Sequence, residues 1–275
     1  MSHRTIVVAT DLSPRCDRPF DRALMLAQEW KAKLILLHVA DPGKGKDTSS
    51  GLRDIEEKIM RDLPETGVEI EVRVKSGDIA ATIIETAEAE KSDLIVTGVA
   101  RYNSIGDILL GGPVDQLIRN ASLPVLIVKR RPRHDYRNLL IATDFSDCSM
   151  KALTTAAELF PEPRLHLVHA YHDPYDAWLG SDQVADDIKA DEQKELARFL
   201  AKQAISDSVF DRLNASIEKG EFSTVLYRKM EATRSDLIVL GTHGRSALSR
   251  AALGSNAQHV LGWAEQDVLM VRDRK

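Results

Sequence analysis

The chain contains itself twice, and this duplication constrains its fold more than any other feature. Thr5-Ile6-Val7-Val8-Ala9-Thr10-Asp11-Leu12-Ser13 recurs as Asn138-Leu139-Leu140-Ile141-Ala142-Thr143-Asp144-Phe145-Ser146, an offset of 133 residues. Ser92-Asp93-Leu94-Ile95-Val96-Thr97-Gly98 recurs as Ser235-Asp236-Leu237-Ile238-Val239-Leu240-Gly241, an offset of 143. The second copy therefore holds about ten extra residues, which fit at Asp173–Asp187. A length of 275 residues, at roughly 100–200 per domain, agrees with two domains, 1–133 and 134–275. The stretch Arg130-Arg131-Pro132-Arg133-His134-Asp135-Tyr136-Arg137 between the copies reads as a polar, solvated linker.

Within each copy, short apolar runs alternate with longer segments of helical period, the pattern of an α/β domain. Strands are predicted near 5–10, 33–39, 68–74, 93–98 and 124–129, then near 138–143, 164–171, 211–217, 236–241 and 267–272. Helices are predicted at about 17–31, 52–63, 78–90 and 112–121 in the first copy. Asp93-Leu94-Ile95-Val96 and Asp236-Leu237-Ile238-Val239 are apolar at consecutive positions, so both faces of these strands must be buried under helices. Right-handed parallel crossovers then favour two tandem, doubly wound, five-stranded parallel sheets. Ligands of such sheets bind at the carboxyl ends of strands where the winding reverses, which directs attention to Asp11, Asp144, Gly98 and Gly241.

Composition narrows the function. Lys+Arg number 37 against 42 Asp+Glu, a net charge of −5, which argues against general binding to a nucleic-acid backbone. The longest apolar runs, such as Lys33-Leu34-Ile35-Leu36-Leu37-His38-Val39, fall far below the roughly 20 residues of a membrane span, so no membrane insertion is expected. The first residues lack the apolar core and cleavage site of a secretory signal, which points to the cytoplasm. Cys16 and Cys148 form no CxxC pair and read as structural residues.

The chemistry-bearing motif follows the fourth strand of the second copy. Gly241, Gly244, Gly254 and Ser255 are spaced G-x2-G-x9-G-S and lead into a helical pattern from Asn256. Gly241 and Gly244 would let the backbone turn tightly and approach a ligand. Gly254 and Ser255 would open a helix whose unpaired N–H groups attract an anion. Arg245 or Arg250 in the intervening loop would add positive charge. The alternative is that the glycines only shape a loop and Ser255 only caps a helix.

With these residues in view, the chain resembles the universal stress protein family, in which G-2x-G-9x-G-(S/T) binds ATP phosphates. The likeness extends to the strand ends Val8-Ala9-Thr10-Asp11 and Ile141-Ala142-Thr143-Asp144, and to the second strands Leu37-His38-Val39 and Val168-His169-Ala170. It implies an adenine nucleotide alpha hydrolase-like fold in each copy. It also implies an adenine nucleotide, ATP or AMP or ADP, with Mg²⁺, as a regulatory ligand of a stress-response protein. Asp144 would then lie beside the nucleotide or its metal, and backbone groups around Ala142, Thr143 and Val168, His169 and Ala170 would line the adenine. Gly241, Gly244, Gly254, Ser255 and the helix start at Asn256 would hold ribose and phosphates. The resemblance further implies packing of the copies about a pseudo-twofold axis, a homodimer of chains as a further partner state, and an unidentified protein partner. The tandem arrangement and the Gly254-Ser255-Asn256-Ala257 turn are also similar to the universal stress protein E branch. Two readings therefore stay open: a nucleotide-independent scaffold that holds an apolar ligand or a protein, and slow ATP hydrolysis or autophosphorylation.

The first copy departs from the motif. Gly244, Ser255 and Asn256 correspond to Arg101, Gly112 and Pro113, while Gly98 and Gly111 stay in place. The second glycine, the hydroxyl and one helix N–H are lost, so weak or absent ATP binding is expected there. Arg101 reads as a surface residue, or as a guanidinium near the vacant cradle that holds a phosphate or replaces the ligand's charge with its own. Gly43-Lys44-Gly45-Lys46-Asp47-Thr48 fails the GxxxxGK[ST] pattern. His166, His169 and His172 alternate between strand faces and do not form a zinc site. His38 and His169 occupy matching positions and read as hydrogen-bonded structural residues, and the charged run Asp186–Glu195 reads as a solvated helix face.

Overall fold

The computed structural model describes residues 4–40, 49–99, 101–103, 107–109, 112–171, 182–202, 205–244 and 253–273. The chain divides into two compact units, Met1–Asp135 with Leu261–Met270, and Tyr136–Val260 with Val271–Lys275. In chain order the first copy supplies β1 (Thr5–Thr10), a 3-10 turn (Pro14–Cys16), α1 (Asp17–Trp30), β2 (Lys33–Ala40), α2 (Ser49–Asp62), β3 (Ile70–Ser76) and α3 (Ile79–Ala89). It continues with β4 (Leu94–Gly98), a small antiparallel pair β5 (Arg101–Asn103) and β6 (Asp107–Leu109), α4 (Gly112–Asn120) and β7 (Val125–Val128). The second copy supplies β8 (Asn138–Ala142), α5 (Asp147–Leu159), β9 (Arg164–Tyr171), α6 (Asp182–Ala201), α7 (Asp207–Phe210) and β10 (Leu213–Lys219). It ends with α8 (Phe222–Thr233), β11 (Leu237–Gly241), α9 (Ser255–Trp263) and β12 (Asp267–Val271).

In the first unit the parallel strands run β7-β4-β1-β2-β3. Because β1 lies between β2 and β4, the winding reverses at its carboxyl end, where Asp11 follows the strand. In the second unit β10-β9-β8-β11 are parallel neighbours, and the reversal falls at β8, followed by Asp144. The segment expected as the second copy's fifth strand has a different grouping. Asp267–Met270 falls with the first unit, where β12 pairs antiparallel with β7 through Val268–Ile127, Leu269–Leu126 and Met270–Val125.

The consecutive apolar residues act as both-face burial requires. Leu94, Ile95 and Val96 of β4 and Leu237, Ile238 and Val239 of β11 are all 0% exposed, each contributing roughly 1.5–3 kcal/mol. Helix starts follow from local chemistry: Asp78 accepts a hydrogen bond from the Ala81 N–H at 2.9 Å to open α3, and Ser146 accepts one from the Ser149 N–H to open α5. No helix among the described residues is long and apolar enough to cross a membrane.

Candidate functional site

The end of β8 is held in one geometry by its own polar residues. The Thr143 N–H donates to the Val168 carbonyl at 2.9 Å, and its hydroxyl accepts from the Phe145 N–H at 2.9 Å and pairs with the Ser149 hydroxyl at 2.9 Å. Asp144 Oδ1 accepts from the Ser146 N–H at 3.1 Å. This bonding holds Phe145 in the left-handed region, φ 62°, an uncommon conformation for a bulky residue. Phe145 is buried, its ring stacked on the His169 ring at 4.2 Å and packed against Phe199 of α6 at 5.5 Å. His169 Nδ1 lies 2.8 Å from the Thr143 carbonyl. A carbonyl only accepts, so Nδ1 donates there, and Nε2 faces Glu192 Oε2 at 3.3 Å. Ala142 and Val168 are buried, while Asp144, His169 and Ala170 are half-buried.

The segment after β11 is brought against this turn. A Cβ at Gly244 would stand 2.7 Å from Asp144 Oδ2, and one at Gly241 would stand 2.9 Å from Cys148 Sγ and 3.3 Å from the Cys148 backbone. At Gly241, pressed on main chain as well as sulfur, a side chain would force the backbone to shift, whereas at Gly244 it would have to displace the Asp144 carboxylate. The loop also returns to its own start, because the Gly254 N–H donates to the Thr242 carbonyl at 2.9 Å. Asp144, Gly244, Gly254 and the beginning of α9 thus converge at the carboxyl ends of β8 and β11. The first helical bond of α9 runs from the Gln258 N–H to the Gly254 carbonyl, so the N–H groups of Ser255, Asn256 and Ala257 belong to the open first turn. One expectation changes: the Gly254 N–H serves the loop and is not available to an anion. Ser255 and Asn256 are exposed. Arg245 and Arg250 lie outside the described residues.

The model of the Universal stress protein family matches residues 2–129 and 135–272. The chain belongs to this family. A universal stress protein of Mycolicibacterium smegmatis is 26% identical over 98% of this chain and 97% of its own length. One from Methanocaldococcus jannaschii is 31% identical over 46% of this chain and 83% of its own. Among solved structures, a universal stress protein of Archaeoglobus fulgidus superposes with a TM-score of 0.70 at 20% identity, covering 99% of both chains, a likeness of fold.

The two universal stress protein copies share their strand-end chemistry. Leu12 repeats the left-handed turn at φ 60°, its N–H donating to the Thr10 hydroxyl at 3.0 Å. The Ser13 N–H donates to Asp11 Oδ1 at 2.9 Å, and His38 Nδ1 lies 2.9 Å from the Thr10 carbonyl. Both histidines therefore brace the strand ends, as expected of structural residues. The copies differ beside the carboxylate, where the Cys16 thiol donates to Asp11 Oδ1 at 3.0 Å. Burial, reinforced by the Asp11 hydrogen bond, pushes this thiol up to about 11. Burial also raises Asp11, but the hydrogen bonds from Cys16 and Ser13 outweigh it and hold the carboxyl below its ordinary value. Phe145, Glu192 and Phe199 escaped the sequence reading. The signal for the first was the Asp-Phe against Asp-Leu difference between copies. Gly43–Thr48, Gly111 and His172 lie outside the described residues, as do the Arg101 side chain and 173–181 of the predicted insertion.

Proposed function

We propose that the second unit binds an adenine nucleotide, ATP or AMP or ADP, as a regulatory ligand in the cytoplasm. The observation that carries this reading is the approach of Gly244 to within a missing Cβ of the Asp144 carboxylate. It joins a strand-end carboxylate, a glycine loop and an open helix terminus at one point of winding reversal. The residues present fit such a ligand. The N–H groups of Ser255 and Asn256 and the Ser255 hydroxyl suit phosphate oxygens, Asp144 suits Mg²⁺, and the backbone from Val168 to Ala170 suits an adenine edge. Bound nucleotide supplies a polyanion that changes the charge of this surface, and its occupancy would alter binding of a protein partner.

The test is thermal and chemical denaturation with and without ATP and Mg²⁺. At about 100 times its dissociation constant, ATP stabilises a binding protein by about 2.7 kcal/mol. Gly244→Arg carries the first copy's residue into the second, and its Cβ meets the end of a rotatable side chain, so the variant is expected to fold and lose that stabilisation. An equal ATP effect in wild type and variant contradicts the reading.

A further inference from the structure

We propose that His169 and Glu192 form a proton-operated latch that fastens α6 to the Asp144 turn and regulates the nucleotide site, a regulation that rests on the reading above. All parts of the latch lie in the second unit. His169 stands on β9 with both ring nitrogens facing oxygens: Nδ1 is 2.8 Å from the Thr143 carbonyl, and Nε2 is 3.3 Å from a carboxylate oxygen of Glu192 on α6. A carbonyl and an ionised carboxylate only accept, so the ring satisfies both when each nitrogen carries a proton. The imidazolium then gives one bond to Thr143 and a charge-assisted bond to Glu192. With a single proton, which the Thr143 bond keeps on Nδ1, a lone pair of Nε2 faces the carboxylate and this attachment of α6 is lost.

The latch ties α6 to the residues on either side of Asp144. Through His169 the helix is joined to the Thr143 carbonyl, and through Phe199 it packs at 5.5 Å on Phe145, whose ring is stacked on His169. A docked α6 therefore holds the carboxylate and the Val168–Ala170 backbone in one geometry before a ligand arrives, which lowers the ordering cost of binding. Other charged groups on the surrounding elements are paired: Asp191 with Lys194 and Glu195 with Arg198 on α6, Asp147 of α5 with Lys202, and Glu218 of β10 with Lys229. Asp144 accepts from the Ser146 N–H, and Lys189 is exposed one turn before Glu192. Tyr171 is buried two residues along β9, and Lys219 stands two residues beyond Ile217, the β10 neighbour of His169. The first copy lacks the latch. His38 makes the matching bond to Thr10 but has no ion-pair partner among the described residues, and Leu12, in the place of Phe145, is 48% exposed.

Because only the protonated ring makes the latch, the docked state holds the extra proton, and docking weakens as pH rises through the histidine range of about 5 to 8. The test compares the full chain with Glu192→Gln across that range. The glutamine amide donates to the neutral Nε2, so the variant keeps α6 docked without the second proton. In ¹⁵N spectra of the histidine rings, with His169 assigned through its contacts to Phe145, the wild type is expected to pass from the doubly protonated form to the Nδ1–H form. Its hydrogen-exchange protection over residues 188–201 should fall at least threefold between the ends of the range, while that of the variant stays level. A ring neutral throughout, level protection in the wild type, or an equal fall in the variant overturns the latch. The ratio of variant to wild-type affinity for ATP with Mg²⁺ should rise at least threefold over the same range. A constant ratio beside a working latch overturns the regulation alone. No ATP binding at any pH overturns the nucleotide reading and the regulation with it, while the ring spectra and exchange still decide the latch.

Discussion

At the scale of single residues, the glycines of the second copy have distinct tasks. Gly241 is pressed on the Cys148 side chain and backbone together, whereas Gly244 faces only the end of the Asp144 side chain. A methyl group at 241 must therefore move main chain, while one at 244 must move a carboxylate. Gly241→Ala is expected to destabilise the chain by about 1–3 kcal/mol, read as a lower urea midpoint. Gly241→Ala with Cys148→Ala should recover part of this loss, because the sulfur contact is gone and the 3.3 Å backbone contacts remain. Full recovery would assign the strain to the sulfur alone. The spacing of these glycines was legible in the sequence, but their individual contacts were not. Cys148 is separated from Gly241 by most of the second copy, and nothing local to either residue announces the other. The same holds for Phe145 and Phe199, whose contact depends on how α6 lies across the sheet.

At the scale of elements, the strands were the most legible part of the chain. Runs such as Leu94-Ile95-Val96 have no polar face to expose, so their burial follows from composition. The pairing of the last strand was not legible, since the same apolar run Val268–Val271 suits either direction of neighbour and its partner β7 lies far away in the sequence. The short elements β5, β6 and α7 carry too few residues to show a period. Lys129 adds an element-level device in the first unit. It is 2% exposed, and its ammonium donates to the Leu261 and Ala264 carbonyls at 2.9 and 2.6 Å at the end of α9. Burial pushes Lys129 down to about 7, against the pull of Asp267. Between about 7 and the ordinary lysine value the unfolded chain holds more protons than the folded one, so stability rises with pH across that window. Below it both states are protonated, and the folded chain bears the cost of a buried cation. Lys129→Met removes this slope. The stability of the wild type relative to the variant should grow from pH 7 to 9, by at most about 1.4 kcal/mol per unit. Urea unfolding at three pH values decides it, and parallel profiles would exclude the lysine as the source.

At the scale of the whole molecule, duplication has left two sites with the same frame and different chemistry. Both copies keep the Thr-Asp turn, the left-handed residue and the bracing histidine. The second keeps the glycines and buries Phe145 beside the turn, while the first lacks the second glycine, the hydroxyl and one helix N–H and has an apolar cavity there. The account therefore assigns one nucleotide to the chain, not two. The most direct measurement is equilibrium dialysis of the full chain against labelled ATP with Mg²⁺, carried to saturation for the wild type and for Gly244→Arg. The account predicts one ATP per wild-type chain and none on the variant. Saturation at two, no binding to the wild type, or undiminished binding to the variant would contradict it.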